Sequence, residues 1–429
     1  MRIGIIGAGF SGMSAAHDLI NAGHQVTLLE GSDQVGGLAK GFKEPHWDWS
    51  VEQFYHHWFA SDSALLGLVR ELGWQDDVIY PRPKTVVYYK DAFYPLDSPL
   101  AALAFPGFTL PDIARFGFVT AWLRYLADWK PLEGYTAHDW MRKYYGEQLY
   151  ETQFEPLLIG KFGRHYQDVN MAWFWARFKA RTTRLGTFRG GFQAFCDRLA
   201  DSLRGRGVDL RLNAPIQSIQ PLAEGGLEIR LSNGAGEKFD KVLSTTSPAV
   251  MAKLAPDLPG QYLQGLLDLK SMGAVVMVLA LKHRLSEQGY YWYNLPKSAG
   301  YPFLALVEHT NFLSPDYFGG DHIVYCGDYL DLDHENFHLS LEELQQRFLP
   351  SLARINPKFT PDWVRKSWLF RSAYAQPIPL LNHSRNIPPV QTPLEGLYFA
   401  SMSQIYPYDR GTNFAVKMGR DTAAMMMAE

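Results

Sequence analysis

The chain has 429 residues, 47% of them hydrophobic and 20% charged, enough for two to three domains at roughly 150 residues each and unlike a disordered, collagenous or multi-span membrane protein. Its 41 basic and 44 acidic residues leave a net charge of -3, so no overall positive field draws it to nucleic acid, and a small molecule is the expected partner. Cys196 and Cys326 stand far apart without a Cys-x-x-Cys pair, which suggests neither a disulfide framework nor a thiolate zinc site and fits a reducing cytoplasm.

In chain order, Ile3 to Ile6 reads as a strand and Ser11 to Asn21 as a helix stopped at Gly23. Val26 to Leu29 is a second strand ending at Glu30, which together make a βαβ unit. The N-terminal apolar run is broken at once by Gly7, Gly9 and Gly12, so it predicts a folded strand and not a signal peptide. Ser61-Asp62 precedes a helix, and Val86 to Tyr89 with Ala92 to Tyr94 form a hairpin turning at Lys90-Asp91. Pro99 to Tyr125 is rich in Leu, Phe and Ala, and the chain stays largely helical to about Arg181. Val208 to Leu243 predicts a β-meander, with turns at Glu224-Gly225-Gly226 and Ser232-Asn233-Gly234. Strands follow between Val275 and Tyr329, then a helix over Leu341 to Ile355, a Pro-rich segment from Pro377 to Pro393, a strand over Tyr398 to Ser401 and a helix over Ala415 to Met427. The longest unbroken apolar stretch, Gly273 to Leu281, falls well short of the roughly 18 residues that cross a bilayer. Long blocks of alternating type predict two interleaved, discontinuous domains.

Gly7-Ala8-Gly9-Phe10-Ser11-Gly12 is a Gly-x-Gly-x-x-Gly turn placed after a strand and at the start of a helix. Gly7 permits the turn, Gly9 lets a pyrophosphate approach the backbone, and Gly12 lets helix and strand pack closely. Glu30, at the end of the second strand, is placed to accept hydrogen bonds from the adenosine ribose and to repel a 2'-phosphate. Gly36-Gly37-Leu38 follow in the next loop.

Glu30-x5-Gly36-Gly37-Leu38 resembles the FAD signature of flavin amine oxidases, protoporphyrinogen oxidases and phytoene desaturases. So do Gly190-Gly191-Phe192, Asn213-Ala214-Pro215-Ile216, Val242 to Thr246, and Gly396 to Ser401 followed by Asp409-Arg410-Gly411-Thr412-Asn413. The resemblance implies an α/β (α+β) fold: a Rossmann-type FAD domain with a β-meander, from residues 1–60, 185–262 and 392–429, interleaved with a substrate domain from 61–184 and 263–391. It implies that Ile216 meets the adenine through its backbone and that Thr245 ends a cofactor-lining strand. It also implies that Gly411, Thr412 and Asn413 hold the N1–C2=O2 edge of the flavin, with Ser401 beside the ribityl chain. Ser401-Met402 stands where a Gly-Asp or Gly-Glu pair is usual in amine oxidases, and Asp409 is a candidate substitute for that acid. After His383 the chain has no His and no Cys, so the C-terminal covalent link of some relatives has no anchor and the FAD is expected to be non-covalent.

No second Gly-x-Gly-x-x-Gly unit occurs, which favours an oxidase or desaturase over a pyridine-nucleotide reductase. The expected reaction is hydride transfer from an apolar or amphipathic substrate, an isoprenoid, tetrapyrrole or amine, to flavin N5. A nucleotide-sugar mutase resembling UDP-galactopyranose mutase is the second reading, and a non-catalytic binding protein of the same fold the third.

His56 and His57 follow the glycine pair and are candidates to bind an anion or relay a proton, with a structural role as the competing reading. Neighbours in a strand face opposite ways, so the pair predicts no metal site. His309, and Tyr374 with Gln376, are candidates from the substrate domain. Between Lys161 and Arg189 seven cations, Arg181 and Arg184 among them, accompany the single acid Asp168, which predicts either a solvated face or a site for an acidic or phosphorylated substrate. The aromatic share of 14% predicts a large apolar cavity or a greasy surface. Phe105, Phe108, Phe116, Phe118 and Trp122 fall where the resemblance puts a membrane-facing region, with core as the alternative.

Overall fold

In a computed structural model that describes residues 1–95, 99–180, 182 and 184–428, two large sheets organise the chain. The first is five-stranded and parallel, in the order Asp209–Arg211, Gln25–Leu29, Arg2–Ile6, Lys241–Ser244, Leu397–Phe399. Apart from the edge strand Asp209–Arg211, its strands are short, largely apolar and buried runs, as a parallel sheet covered on its faces requires. The helices Phe10–Asn21, Phe192–Gly205 and Thr412–Ala428 contribute to the core on one side. On the other side sits the antiparallel meander Ile216–Pro221, Leu227–Leu231, Gly236–Phe239. The fold is thus α/β with a Rossmann-type parallel sheet and a meander, and the expected meander begins one strand later than its sequence pattern suggested, because Asp209–Arg211 joins the parallel sheet.

The second sheet is seven-stranded and mixed, ordered Val364–Pro377, Ser271–Leu281, His322–Leu330, Ala305–Glu308, Trp292–Asn294, Thr85–Tyr89, Ala92–Pro95. The hairpin forms as expected, with Lys90 and Asp91 both at positive φ (46° and 62°), the pairing that lets a two-residue turn follow strand twist. The strand Val364–Pro377 has no counterpart in the sequence reading. It is an edge strand, so Arg365, Lys366 and Arg371 interrupt its pattern while their side chains reach other partners.

A helical layer over residues 110–180 packs its own aromatic core of Trp140, Tyr145, Tyr150, Phe154, Phe162, Trp173 and Phe174. The helix Leu110–Tyr125 contributes Val119 and Leu123 to it and is closed at its start by Thr109 and Asp112 in a capping box. The last helix begins at Thr412, three residues before the expected start.

Candidate functional site

Gly7 adopts φ +100°, and a Cβ there would lie 2.5 Å from Thr245 Oγ1, which donates to the carbonyls of Ile6 (2.9 Å) and Gly7 (3.2 Å). A Cβ on Gly12 would stand 2.0 Å from the Gly7 carbonyl oxygen, so this residue is what lets the helix start against the strand. Gly9 differs: a Cβ would meet only the Gly37 backbone, at 3.7 Å or beyond. The space beside it is open, as a pyrophosphate approaching the backbone needs. Gly9 caps the helix Phe10–Asn21 without any side-chain hydrogen bond, leaving the first-turn N–H groups for an anion. The buried Ser11 hydroxyl has no partner among the described residues, a polar atom that a phosphate oxygen would satisfy. Phe10, in contrast, turns its ring into the core, stacked on Phe195.

Glu30 closes the cradle. One carboxylate oxygen accepts from the Ala8 N–H at 2.8 Å and the other from the Ser32 N–H and hydroxyl at 2.9 Å. Gly36, at φ +117°, donates from its N–H to the Ala8 carbonyl, while Gly37 (φ +59°) and the half-buried Leu38 begin the next short turn. Ile216 is half-buried where the meander leaves the Glu30 loop.

The last helix reaches the same end of the sheet. A Cβ on its Gly419 would lie 2.1 Å from the Ser11 carbonyl oxygen, so the two helices cross at backbone contact. Space beyond the Gly411 Cα is open, and Thr412 is buried. The Asn413 side chain is already engaged, its Oδ1 accepting from the N–H groups of Ala64 and Leu65 at 2.9 and 3.1 Å. Its carbonyl oxygen is therefore not left for a cofactor. Ser401 shares a 2.7 Å hydrogen bond with the buried Tyr374 hydroxyl, which also bonds Ser403 Oγ at 2.7 Å and accepts from the Ser403 N–H at 2.9 Å. Burial raises the Tyr374 pKa, so this phenol stays protonated and ties the two sheets together.

Immediately before Gly411 lies a polar node. Asp409 accepts from Trp173 Nε1 at 3.2 Å and from Arg177 at 2.9 Å, with Lys161 Nζ at 3.9 Å. The amide oxygen of Gln376 accepts from Lys161 at 3.1 Å and from Arg410 Nε at 3.2 Å, and Arg410 also donates to the Tyr329 hydroxyl. A cleft lined by Trp173, Gln376, Pro379, Met402, Tyr406 and Arg410 lies against it.

The sequence pattern of flavin containing amine oxidoreductases matches residues 10–427. The chain belongs to that family. The glycine cradle, the orphaned Ser11 hydroxyl and the open side of Gly411 fit a flavin dinucleotide. The chain is similar to 15-cis-phytoene desaturase of Synechococcus elongatus, 25% identical over 242 residues, which are 51% of this chain and 50% of that protein. It thus spans about half the length of that relative. A putative protoporphyrinogen oxidase from Exiguobacterium sp. 255-15 shares the fold at TM-score 0.78 with 18% identity, over 100% of this chain and 99% of the other. Reduced UDP-galactopyranose mutase shares it at TM-score 0.75 with 14% identity, over 100% and 95%.

Within this family member the remaining candidates fall into separate places. His56 is half-buried, its Nδ1–H donates to the Phe54 carbonyl at 2.5 Å, and desolvation pushes its pKa down to about 4 despite that bond. The ring is neutral at pH 7, with Nδ1 carrying the proton. Arg410 is close enough to lower that pKa further, which puts His56 on the node's side of the site. The His57 ring packs against Tyr55 and Phe59.

His309 lies elsewhere, in an aromatic box with Tyr55, Tyr325 and Phe318, and burial pushes its pKa down to about 4. Its Nδ1 and the hydroxyls of Tyr55 and Tyr291 are buried without partners among the described residues, a combination that ordered water would satisfy.

The cationic segment divides. Lys161 and Arg177 join the node, Arg164 reaches Asp331 and Asp333, Arg189 reaches Asp77, and exposed Arg184 lies over the Tyr80 ring at 4.4 Å. Arg181 is outside the described residues. Lys161 and Arg177 were legible only as part of the cation excess and Arg410 only as part of the Asp409-to-Asn413 motif, while Trp173 and Tyr329 went unassigned.

Proposed function

We propose that this chain binds FAD non-covalently and oxidises or desaturates an apolar substrate. The observation that carries the reading is the open backbone at Gly9, at the start of a helix that the last helix crosses at Ser11–Gly419, about two turns after its own open start at Gly411. The strand grouping of the two sheets supports the interleaved division into an FAD domain and a substrate domain. When bound, the flavin supplies a hydride acceptor. The chain's own residues do the rest. The N-terminus of helix Phe10–Asn21 holds the pyrophosphate, Glu30 the ribose, and the start of helix Thr412–Ala428 offers N–H groups to the electron-rich edge of the ring. Trp173, Tyr406 and His383 line the small cleft beside Arg410, and neutral His56 lies on the Arg410 side of the site. The purified protein should be yellow, and mild denaturation should release one intact FAD per chain. Mixing with NADPH under anaerobic conditions should reduce the flavin slowly. A colourless protein that cannot be reconstituted would overturn the reading, and fast reduction by NADPH with a spectral response to UDP-sugars would favour a mutase.

The same reading includes a lipid-surface contact. No helix among the described residues is long and apolar enough to cross a membrane, yet helix Leu110–Tyr125 leaves large apolar side chains bare beside Arg115 and Arg124: Leu110 is 74% exposed, Phe118 76%, Tyr125 73% and the adjoining Leu126 77%. Solvated helices rarely expose so many large apolar side chains together. Sedimentation with phospholipid vesicles should carry the protein down, and replacing Phe118 and Leu126 by Ser should leave it in the supernatant.

A further inference from the structure

Helix Leu110–Tyr125 turns an apolar face to the outside. At about 100° per residue, Leu110, Ala114, Phe118, Ala121, Trp122 and Tyr125 fall on one side, and all six are exposed. Val119 and Leu123, on the opposite side, enter the aromatic core. The two arginines of the helix stand nine positions apart (124 minus 115), about two and a half turns. They therefore mark the two borders of the bare face.

A neighbouring helix extends each border. On one side Arg115 reaches the Tyr145 carbonyl at 3.4 Å, in helix Ala137–Tyr145, where the exposed Lys143 lies 5.2 Å from the Tyr144 centroid and Trp140 stacks on Trp122. On the other side Arg124 donates to the Phe178 carbonyl at 3.0 Å, in helix Met171–Ala180, and the exposed Lys179 donates to the Arg124 carbonyl at 2.9 Å. Carbonyls and rings hold these four cations, and among the described residues none has a carboxylate within ion-pair distance. Asp112, the acid of the helix, is bonded to Thr109, and Glu147 is paired with Arg142. A bilayer presents phosphates along both flanks of a helix lying in its surface, and long cationic side chains reach them while the apolar face sinks between. Trp and Tyr, here Trp122 and Tyr125, are the side chains that settle at that boundary. A second copy docked face to face would instead set cations against cations on both borders.

We propose that Arg115 with Lys143, and Arg124 with Lys179, bind the headgroups of anionic phospholipids on the two sides of this face, so that the chain adsorbs to negatively charged bilayers in preference to neutral ones. The inference rests on the lipid-surface reading and adds to it the class of lipid.

Sedimentation of the purified protein with vesicles of phosphatidylcholine alone, and of phosphatidylcholine carrying about a third phosphatidylserine, separates the two. Binding to the anionic vesicles should be at least about tenfold tighter and should weaken toward the neutral level as salt is added. Arg115→Gln/Lys143→Gln and Arg124→Gln/Lys179→Gln should each lower affinity for anionic vesicles about tenfold or more, at about fivefold per cation, and leave that for neutral vesicles unchanged. Arg115→Lys/Arg124→Lys should retain most of the affinity, because a charged surface reads charge and not a bidentate fork. Phe118→Ser should weaken binding to both kinds of vesicle, and melting temperatures at the wild-type value identify the variants as folded. Equal affinity for the two vesicles, or full affinity in both double glutamine variants, would overturn the headgroup assignment and leave the lipid contact standing. Binding to neither vesicle by the folded protein would overturn the lipid-surface reading and the assignment with it. A dimer that Phe118→Ser dissociates would then give the face to a second copy.

Discussion

The glycine cradle and the polar node lie at opposite ends of the candidate site and are built on different principles. The cradle is local: six consecutive residues and one carboxylate 18 positions later set its shape, and its tolerances are steric, with hypothetical Cβ atoms 2.0 to 2.5 Å from backbone or a hydroxyl. The node is assembled from segments spread between Lys161 and Arg410, and its tolerances are electrostatic. Steric sites fail all at once when an atom is added. Electrostatic sites fail by degrees, as one charge among several is removed.

That contrast orders the expected effects. Gly12→Val should have the largest, because the added carbons must displace the Gly7 carbonyl, and the variant should purify without flavin and with a lowered melting temperature. Glu30→Ala should follow. It removes three hydrogen bonds to a carboxylate and weakens FAD binding by about 1.5 to 3 kcal/mol, measurable by titrating the apoprotein with FAD. Tyr374→Phe should cost about 1 to 3 kcal/mol in denaturant unfolding by leaving Ser401, Ser403 and the Ser403 N–H without their common partner, while FAD still binds.

A smaller effect concerns pH. Burial raises the Glu52 pKa from 4.5 to about 7, against the pull of the Phe192 N–H that its carboxylate accepts at 2.9 Å. Because the folded-state value is the higher one, the folded protein holds the proton longer than the unfolded chain. The contribution of Glu52 is therefore fully present below pH 4.5 and is lost as pH rises to about 7. Neutral His56 and His309 work in the opposite sense, their pKa values near 4 adding stability as pH climbs from there to 6.5. The Glu52 term is best isolated by difference: relative to Glu52→Gln, the wild type should lose stability between pH 4.5 and 7 and show no further change above.

Legibility in the sequence follows the same division. Gly7, Gly9, Gly12, Glu30 and Gly36 stand in the structure where their spacing placed them, because a turn that needs positive φ or a missing Cβ writes itself into consecutive residues. The βαβ unit at the centre of the parallel sheet was readable for a similar reason, its short apolar strands being bounded by glycine turns, whereas Asp209–Arg211 was read as part of the meander. The edge strand Val364–Pro377 was not, since an edge carries charged side chains and breaks the alternation. Nor was the node. Arg177 and Arg184 look alike in a run of cations, and only the packing of helix Met171–Ala180 sends one to Asp409 and the other to Tyr80. Asn413 shows the converse: its position at the helix start was legible, but the use of its side chain as a cap for Ala64 and Leu65, distant in sequence, was not.

The most direct test of the account is the flavin content of Gly9→Val and Arg410→Met purified side by side with the wild type. Gly9→Val should be colourless, because its side chain fills the space a pyrophosphate needs. Arg410→Met should be yellow at the wild-type ratio of flavin to protein, because the Arg410 side chain bonds Gln376 and Tyr329 and no part of the glycine cradle. Wild-type flavin in Gly9→Val, or its loss from a folded Arg410→Met, would contradict the division of the site into a cofactor cradle and a separate polar node.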